Sequence, residues 1–158
     1  LSRESGKISI KAPGVRRIHS RRSSHVELLN HSQFTLYKGS KTFMPIVTEA
    51  QTLEDFSPIK NNLHKIGYAY YICELINGLC AYNQENRNVF FHLKSTLSML
   101  CKTSDGLGLI KNFEKNLLAQ LGFWSEVKLL QTCDSQTVME RLLERKLKTI
   151  RVLPLFAE

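Results

Sequence analysis

The chain has 158 residues, of which 42% are hydrophobic and 23% charged, and its formal net charge at pH 7 is +8. This composition suffices for one domain or two small ones with packed cores, and it excludes a wholly disordered chain. No uninterrupted apolar run approaches the roughly 20 residues that a membrane-spanning helix needs, so the sequence predicts no membrane contact. Because the chain begins with Leu1 rather than Met, we interpret it as a piece whose first part is missing.

The first predicted element is a short strand, Lys7–Lys11, in which apolar and polar residues alternate. Pro13-Gly14 ends it, and the loop that follows contains two arginine pairs, Arg16-Arg17 and Arg21-Arg22, among several serines. Guanidinium groups bond phosphate oxygens two at a time, and hydroxyl groups add further hydrogen bonds. The pattern therefore favours a phosphate-binding loop.

The positive charge is concentrated in this first segment. Residues 1–24 contain seven basic residues against one acid, a net +6, whereas residues 25–56 contain two basic residues against four acids, a net −2. Such segregation is typical of proteins that bind a polyanion. We expect phosphate contacts from Lys7, Lys11, Arg16, Arg17, Arg21 and Arg22.

Two further strands are predicted at residues 31–38 and 42–51, joined by a turn at Gly39-Ser40 into a β-hairpin. Pro45 lacks an amide N–H, so the second of these strands should be at an edge or bulged. Tyr37 could stack on a base if it faces solvent, and Lys38 and Lys41 beside the turn are secondary phosphate contacts. Three or four strands in this first third suggest a small β-barrel or curved sheet, which we interpret as an OB fold that lacks its first strands.

The rest of the sequence predicts helices at residues 57–81, 84–102, 109–121 and 135–150, with short loops between them. In the first helix, apolar residues recur at three- and four-residue spacing, which predicts an amphipathic helix; they are Ile59, Leu63, Ile66, Tyr70, Cys73, Ile76, Leu79 and Cys80. The predicted fold class is therefore α+β, with a partial OB-fold domain at 1–56 and an all-helical domain at 57–158.

No enzyme motif is present: the sequence has no G-x-S-x-G elbow, no P-loop and no HExxH spacing. The four cysteines form no CxxC pair, so a zinc site lacks its usual ligand spacing, and their helical surroundings suggest buried thiols in the reducing cytoplasm. The sequence thus predicts no catalytic residue, no metal and no cofactor.

Six segments occur in the order found in one known family. They are LSRESGKISIKAPGVRRIHSR, LYKG, IVTEAQTLEDF, YAYYICELINGL, FEKNLLAQLGFW and ERKLKTIRVL. Together they resemble the RecO family of bacterial recombination mediators. Many members carry a four-cysteine zinc module between the last two segments, but the interval 125–135 holds only Cys133, so we expect no zinc here.

The resemblance implies an OB fold followed by a helical domain without a catalytic cleft. It implies binding of single- and double-stranded DNA and strand annealing in the cytoplasm, associated with the nucleoid. The resemblance further implies that, in the RecF pathway, the protein works with RecR to load RecA onto strands coated by single-stranded DNA-binding protein. It also implies that the protein binds the acidic C-terminal tail of single-stranded DNA-binding protein. An apolar pocket rimmed by basic residues would suit that tail. The possible rim positions are Lys94, Lys102, Lys111 and Lys115.

Two alternatives stay open. The helical half could be a protein-interaction adaptor whose basic segment does not bind DNA, in which case the arginine pairs would be dispensable for binding single strands. The chain could also be an RNA-binding OB-fold protein, since phosphate contacts alone do not separate the two nucleic acids.

Overall fold

The computed structural model describes residues 1–17, 19–40, 42–129 and 133–149. The chain divides into two compact units, which we call the β unit (Ile8–Phe56) and the helical unit (Leu1–Lys7 together with the chain from Ser57 onward). A two-stranded antiparallel sheet is followed by helices, which confirms the α+β class. In the described ranges, no helix combines the length and the apolar character needed to cross a membrane.

The β unit contains the predicted hairpin. Strand β1 (His31–Tyr37) pairs antiparallel with β2 (Ile46–Glu54). β2 begins just after Pro45, because proline has no N–H to donate to a ladder. The register skips between Thr35 and Leu36, so Thr48 is an extra residue on β2, which is a β-bulge.

The predicted strand Lys7–Lys11 is wrong. In place of a ladder, Lys7 forms one isolated bridge with Tyr82 inside the helical unit, and Lys11 forms one with Ile46 inside the β unit. The amide N–H of Lys11 donates to Pro45 O at 2.8 Å, and Val47 N–H donates to Lys11 O at 2.9 Å. A segment of alternating polarity forms a strand only where a neighbouring strand pairs with it along its length. Here Lys7 pairs with a residue of the helical unit and Lys11 with a residue of the β unit, so no ladder forms.

Six helices occur in the described part of the helical unit. They are α1 (Ser57–Lys60), α2 (Leu63–Leu79), α3 (Arg87–Lys102), α4 (Gly106–Gln120), α5 (Trp124–Leu129) and α6 (Ser135–Leu143). The predicted single helix over 57–81 is split because the Asn62 side chain accepts the amide N–H of Lys65 and starts a new helix. Short polar residues cap three others in the same way: Asn86, Asp105 and Asp134.

The last predicted helix is shorter than expected. It ends at Leu143, where Glu144 takes a left-handed conformation with φ of 52°. The chain then turns back so that Leu147 is buried, and the carboxylate of Glu74 on α2 accepts the amide N–H groups of Lys148 and Thr149 at 3.0–3.2 Å. Residue 150, the last position of the predicted helix, lies outside the described residues.

The core of the helical unit is formed by α2, α3, α4 and α6 with Leu147. Within it, the buried Tyr71 hydroxyl donates to the buried Glu114 carboxylate, so each polar group is satisfied. The stripe predicted as the buried face of α2 is partly wrong, since Leu63 is 57% exposed and Tyr70 42%. Ile76 of the predicted stripe is buried, and the other buried positions of α2 are Gly67, Ala69, Tyr71, Ile72 and Leu75.

Candidate nucleic-acid interface

The basic loop of the β unit is built from successive tight turns. Arg17 N–H donates to Gly14 O at 3.1 Å, Ser20 N–H to Arg17 O at 2.9 Å, and Ser23 N–H to Ser20 O at 3.3 Å. Gly14 has a φ of +74°, a conformation that glycine adopts without the steric cost other residues incur. These hydrogen bonds order the backbone of the described loop residues, 13–17 and 19–23, as a binding loop needs in order to present its side chains.

The loop surrounds an open cleft of about 920 Å³. Its lining residues are Pro13, Gly14, Arg16, Arg17, His19, Ser20, Arg21 and Arg22. The side chains of Arg16, Arg17 and Arg21 are exposed, and the described lining contains no acidic residue. Three guanidinium groups without a neutralising carboxylate in the described lining give the cleft the chemistry that suits an anion with several charges.

Arg22 has a different environment from the other three arginines. It is half-buried, and its Nη1 donates to Val47 O at 2.8 Å and to Thr48 O at 3.3 Å. Its Nη2 donates to Pro13 O at 3.3 Å. Both terminal nitrogens are therefore engaged with the backbone of the β unit.

The remaining predicted contacts differ in their setting. Lys7 belongs to the helical unit, where its Nζ donates to Asn77 O at 2.5 Å and lies 4.2 Å from the centroid of the Tyr82 ring. Lys11 and Lys38 are exposed in the β unit but do not line the cleft. Tyr37 is 61% exposed, so its ring is available for stacking. Lys41 lies outside the described residues.

Two residues of the cleft were not among the predicted contacts. His19 is exposed and Ser20 half-buried, and both line the cleft between the arginine pairs. Their position between the pairs was the one signal the sequence offered. In the described ranges, no group of three or more histidine, cysteine or acidic residues is placed to bind a metal ion, and the four cysteines form no disulfide bond there.

The helical unit has a second opening, a groove of about 650 Å³ along α2. It is lined by Leu63, Ile66, Gly67, Tyr70, Cys73, Glu74, Asn77 and Thr149. Four positions of the predicted stripe, Leu63, Ile66, Tyr70 and Cys73, thus line an open groove, while Ile59, Ile76 and Cys80 of the same stripe are buried. Glu74 in this lining is 3.9 Å from Nη2 of Arg145 and accepts the backbone N–H of the exposed Lys148.

Both parts of the chain match known sequence families. Residues 1–56 match the model described as recombination protein O N terminal, and residues 60–128 match recombination protein O C terminal. The DNA repair protein RecO of Desulforudis audaxviator (strain MP104C) is 31% identical over 139 residues, covering 88% of this chain and 55% of that protein.

Other curated relatives agree. The DNA repair protein RecO of Dehalococcoides mccartyi (strain CBDB1) is 34% identical over 133 residues, covering 84% of this chain and 52% of that protein. That of Roseiflexus sp. (strain RS-1) is 31% identical over 128 residues, covering 81% and 44%. The chain spans about half the length of these relatives. With its two parts matched in order by the two family models, the chain belongs to the recombination protein O (RecO) family.

Proposed function

We propose that this chain functions in DNA repair and recombination by binding single- and double-stranded DNA through the basic cleft of the β unit. The observation that carries the proposal is the cleft itself, with the exposed Arg16, Arg17 and Arg21 around an open depression whose described lining has no acid. Membership of a family whose relatives are named DNA repair proteins supports the choice of DNA as the polyanion.

The chemistry of the cleft suits phosphate rather than bases. Each guanidinium fork can bond two phosphate oxygens, and each neutralised phosphate releases condensed counterions. Binding of this kind is largely independent of sequence and weakens steeply with salt. The exposed Tyr37 ring adds a surface on which an unpaired base can stack, with Lys11 and Lys38 as secondary phosphate contacts.

For the architecture, we propose that residues 1–56 form part of an OB-fold domain and that residues 57–158 form a helical domain without a zinc module. The antiparallel hairpin with its bulge supports the first, because bulged antiparallel strands build small barrels. No catalytic residue is assigned, since the proposed activity is binding and strand annealing.

The partners belong to the same proposal. The chain would act with RecR to load RecA onto DNA coated by single-stranded DNA-binding protein, and it would bind that protein's acidic C-terminal tail. The apolar groove on α2 is the candidate site for the apolar part of such a tail, and Arg145, 3.9 Å from the lining residue Glu74, would supply positive charge beside it. The lysines expected as a rim, at 94, 102, 111 and 115, do not line this groove.

The experiment compares single-stranded DNA binding by two charge-matched variants in a salt series, using fluorescence anisotropy. One variant changes Arg16, Arg17 and Arg21 to Ala, and the control changes the exposed Lys102, Lys111 and Lys115 to Ala. Both remove three positive charges from the chain. We expect the arginine variant to reduce the slope of log K against log salt by about 2, which corresponds to three single-strand phosphate contacts.

The control should retain the unmodified slope, because its lysines lie on the helices α3 and α4. Equal losses in the two variants would mean that the net charge of +8 alone attracts DNA. Salt-independent binding, or an arginine variant with an unchanged slope, would favour the adaptor function. A strong preference for RNA of the same sequence would favour the RNA-binding alternative.

A further inference from the structure

Arg22 is bonded to two separate parts of the β unit. Its Nη1 reaches the carbonyl oxygens of Val47 and Thr48 on β2, and its Nη2 reaches Pro13 O at the beginning of the loop. The Arg22 guanidinium, at the end of the basic loop, therefore connects Pro13, at the beginning of the loop, with Val47 and Thr48 on β2. The planar fork of arginine makes such simultaneous contacts possible.

The β-bulge accounts for the carbonyls that Arg22 uses. Thr48 is an extra residue of β2 at the bulge: it has no residue opposite it in the register, and its hydroxyl donates to Thr35 O at 3.0 Å. Val47 N–H donates to Lys11 O, so the polar edge of Val47 faces away from β1 and its carbonyl is available on the same side. Arg22 thus donates to two backbone carbonyls at the bulge of β2.

The flanking segments have anchors of their own. Before the loop, Lys11 pairs with Pro45 and Val47 through two backbone hydrogen bonds. After it, His25 Nδ1 lies 2.9 Å from Thr52 Oγ1, and Ser32 Oγ donates to His25 O at 2.7 Å. Loss of the Arg22 contacts should therefore loosen the turns between these anchors without unfolding the β unit.

We infer that Arg22 is a positioning residue, which ties the loop to the bulge of β2 and thereby sets the spacing of Arg16, Arg17 and Arg21, rather than a phosphate contact itself. The inference rests on the proposed function for its effect on DNA, but the contacts of Arg22 can be tested without DNA. It separates the two members of the Arg21-Arg22 pair, which have equal charge in the sequence and different partners in the structure.

The test replaces arginine with lysine, which keeps the charge and removes the fork. At Arg22 a lysine can bond one carbonyl but cannot join β2 to Pro13, whereas at Arg21 a lysine still neutralises a phosphate. We expect Arg22→Lys to weaken single-stranded DNA binding about tenfold at constant salt slope, and Arg21→Lys to weaken it less than about threefold. Amide hydrogen exchange on the free proteins, at Arg17, Ser20 and Ser23, provides the DNA-independent measurement.

In Arg22→Lys these three amides should exchange about tenfold faster than in the unmodified chain, while amides of α2 keep their protection, which also shows that the variant is folded. Arg22→Gln, which retains a shorter neutral donor, should give an intermediate rate. Unchanged exchange of the loop amides in Arg22→Lys would overturn the inference, as would equal effects of the two lysine substitutions on DNA binding. If no protein binds DNA but the loop amides still respond, the proposed function fails while the positioning role stands.

Discussion

At the scale of single residues, the clearest consequence of the structure concerns Glu74. Partial burial acts to raise the pKa of this carboxyl, but hydrogen bonds from Thr149 and Lys148, with Arg145 nearby, outweigh it and hold the pKa below its ordinary value of 4.5. A carboxyl with a depressed pKa in the folded state adds stability above its unfolded pKa and loses it as the pH falls through the folded one.

We therefore expect Glu74→Gln to lower the free energy of unfolding by about 1–2 kcal/mol at pH 7, because one neutral oxygen replaces a carboxylate that accepts several hydrogen bonds. The difference from the unmodified chain should shrink as the pH falls from 4.5, the ordinary pKa, through the lower pKa of the folded state, where the Glu74 carboxylate becomes protonated. Urea unfolding at a series of pH values measures both quantities.

The exposed Glu85 provides the control for this prediction. It pairs only at the surface with Arg87, at 2.6 Å, and exposed pairs contribute little. Glu85→Gln should leave the free energy of unfolding within about 0.5 kcal/mol of the unmodified value. A Glu74→Gln effect that stays constant down to pH 3 would show that its charge plays no part.

Glu114 is the opposite case to Glu74. Burial raises its pKa, against the hydrogen bonds from Tyr71 and Ser135 that lower it. Burial together with the Glu114 carboxyl also raises the pKa of Tyr71. A carboxyl of this kind stabilises the fold fully below its unfolded pKa and less as the pH rises through the folded one. The two glutamates of the helical unit therefore give stability opposite dependences on pH.

The candidate site could be predicted from these residues only in part. Charge segregation and the paired arginines indicated a basic loop, and the loop does surround a cleft lined by all four of them. The sequence could not tell Arg22 from Arg21, because which guanidinium meets a carbonyl depends on the bulge in a strand 25 residues away. The sequence also groups Lys7 with the loop, because nothing in it indicates that Lys7 contacts Asn77 and Tyr82, which are about 70 residues further along the chain.

At the scale of elements, the hairpin and the helical second half follow from hydrophobic period and turn residues, and both are present. The first residues of three helices differ from the predicted ones for the same reason. Asn62, Asn86 and Asp105 accept amide N–H groups three residues ahead, so each helix starts at its cap rather than at the first apolar residue. The buried face of α2 could not be chosen because both of its faces are apolar, and only packing decides between them.

Gly106 shows how one residue fixes the contact between two helices. It lies in the first turn of α4, and a methyl group on its Cα would be 2.3 Å from Cε2 of Tyr68 on α2. Alanine is the better helix former, yet this clash requires the ring to move. We expect Gly106→Ala to lower the free energy of unfolding by about 1–3 kcal/mol in denaturant titrations.

The same substitution in a Tyr68→Leu background separates the clash from the helix itself. With the ring removed, Gly106→Ala should be neutral or stabilising, because only the helix propensity is left. The neighbouring Leu107 is 64% exposed, so Leu107→Ala serves as a control on α4 and should have little effect. Equal losses from Gly106→Ala with and without the tyrosine ring would contradict the close-contact explanation.

At the scale of the whole molecule, the two units differ in how much apolar surface they bury. Among the buried hydrophobic side chains of the described residues, Val47 and Phe56 belong to the β unit, and all the others belong to the helical unit. A two-stranded sheet with so few buried side chains has little to offset its conformational entropy. The structure thus places the candidate binding loop in the unit with the smaller apolar core.

This contrast predicts that stability is unevenly distributed along the chain. We expect amides of β1 and β2 to exchange with solvent at least about a hundredfold faster than those of α2 and α4, measured by native-state hydrogen exchange on the whole chain. A ligand that binds only the folded form stabilises the unit it binds. Saturating single-stranded DNA should therefore slow exchange in the loop and in β2, because Arg22 links the two, and leave α4 unchanged. Equal protection of strands and helices in the free protein would show that the β unit is stabilised by more than its buried side chains.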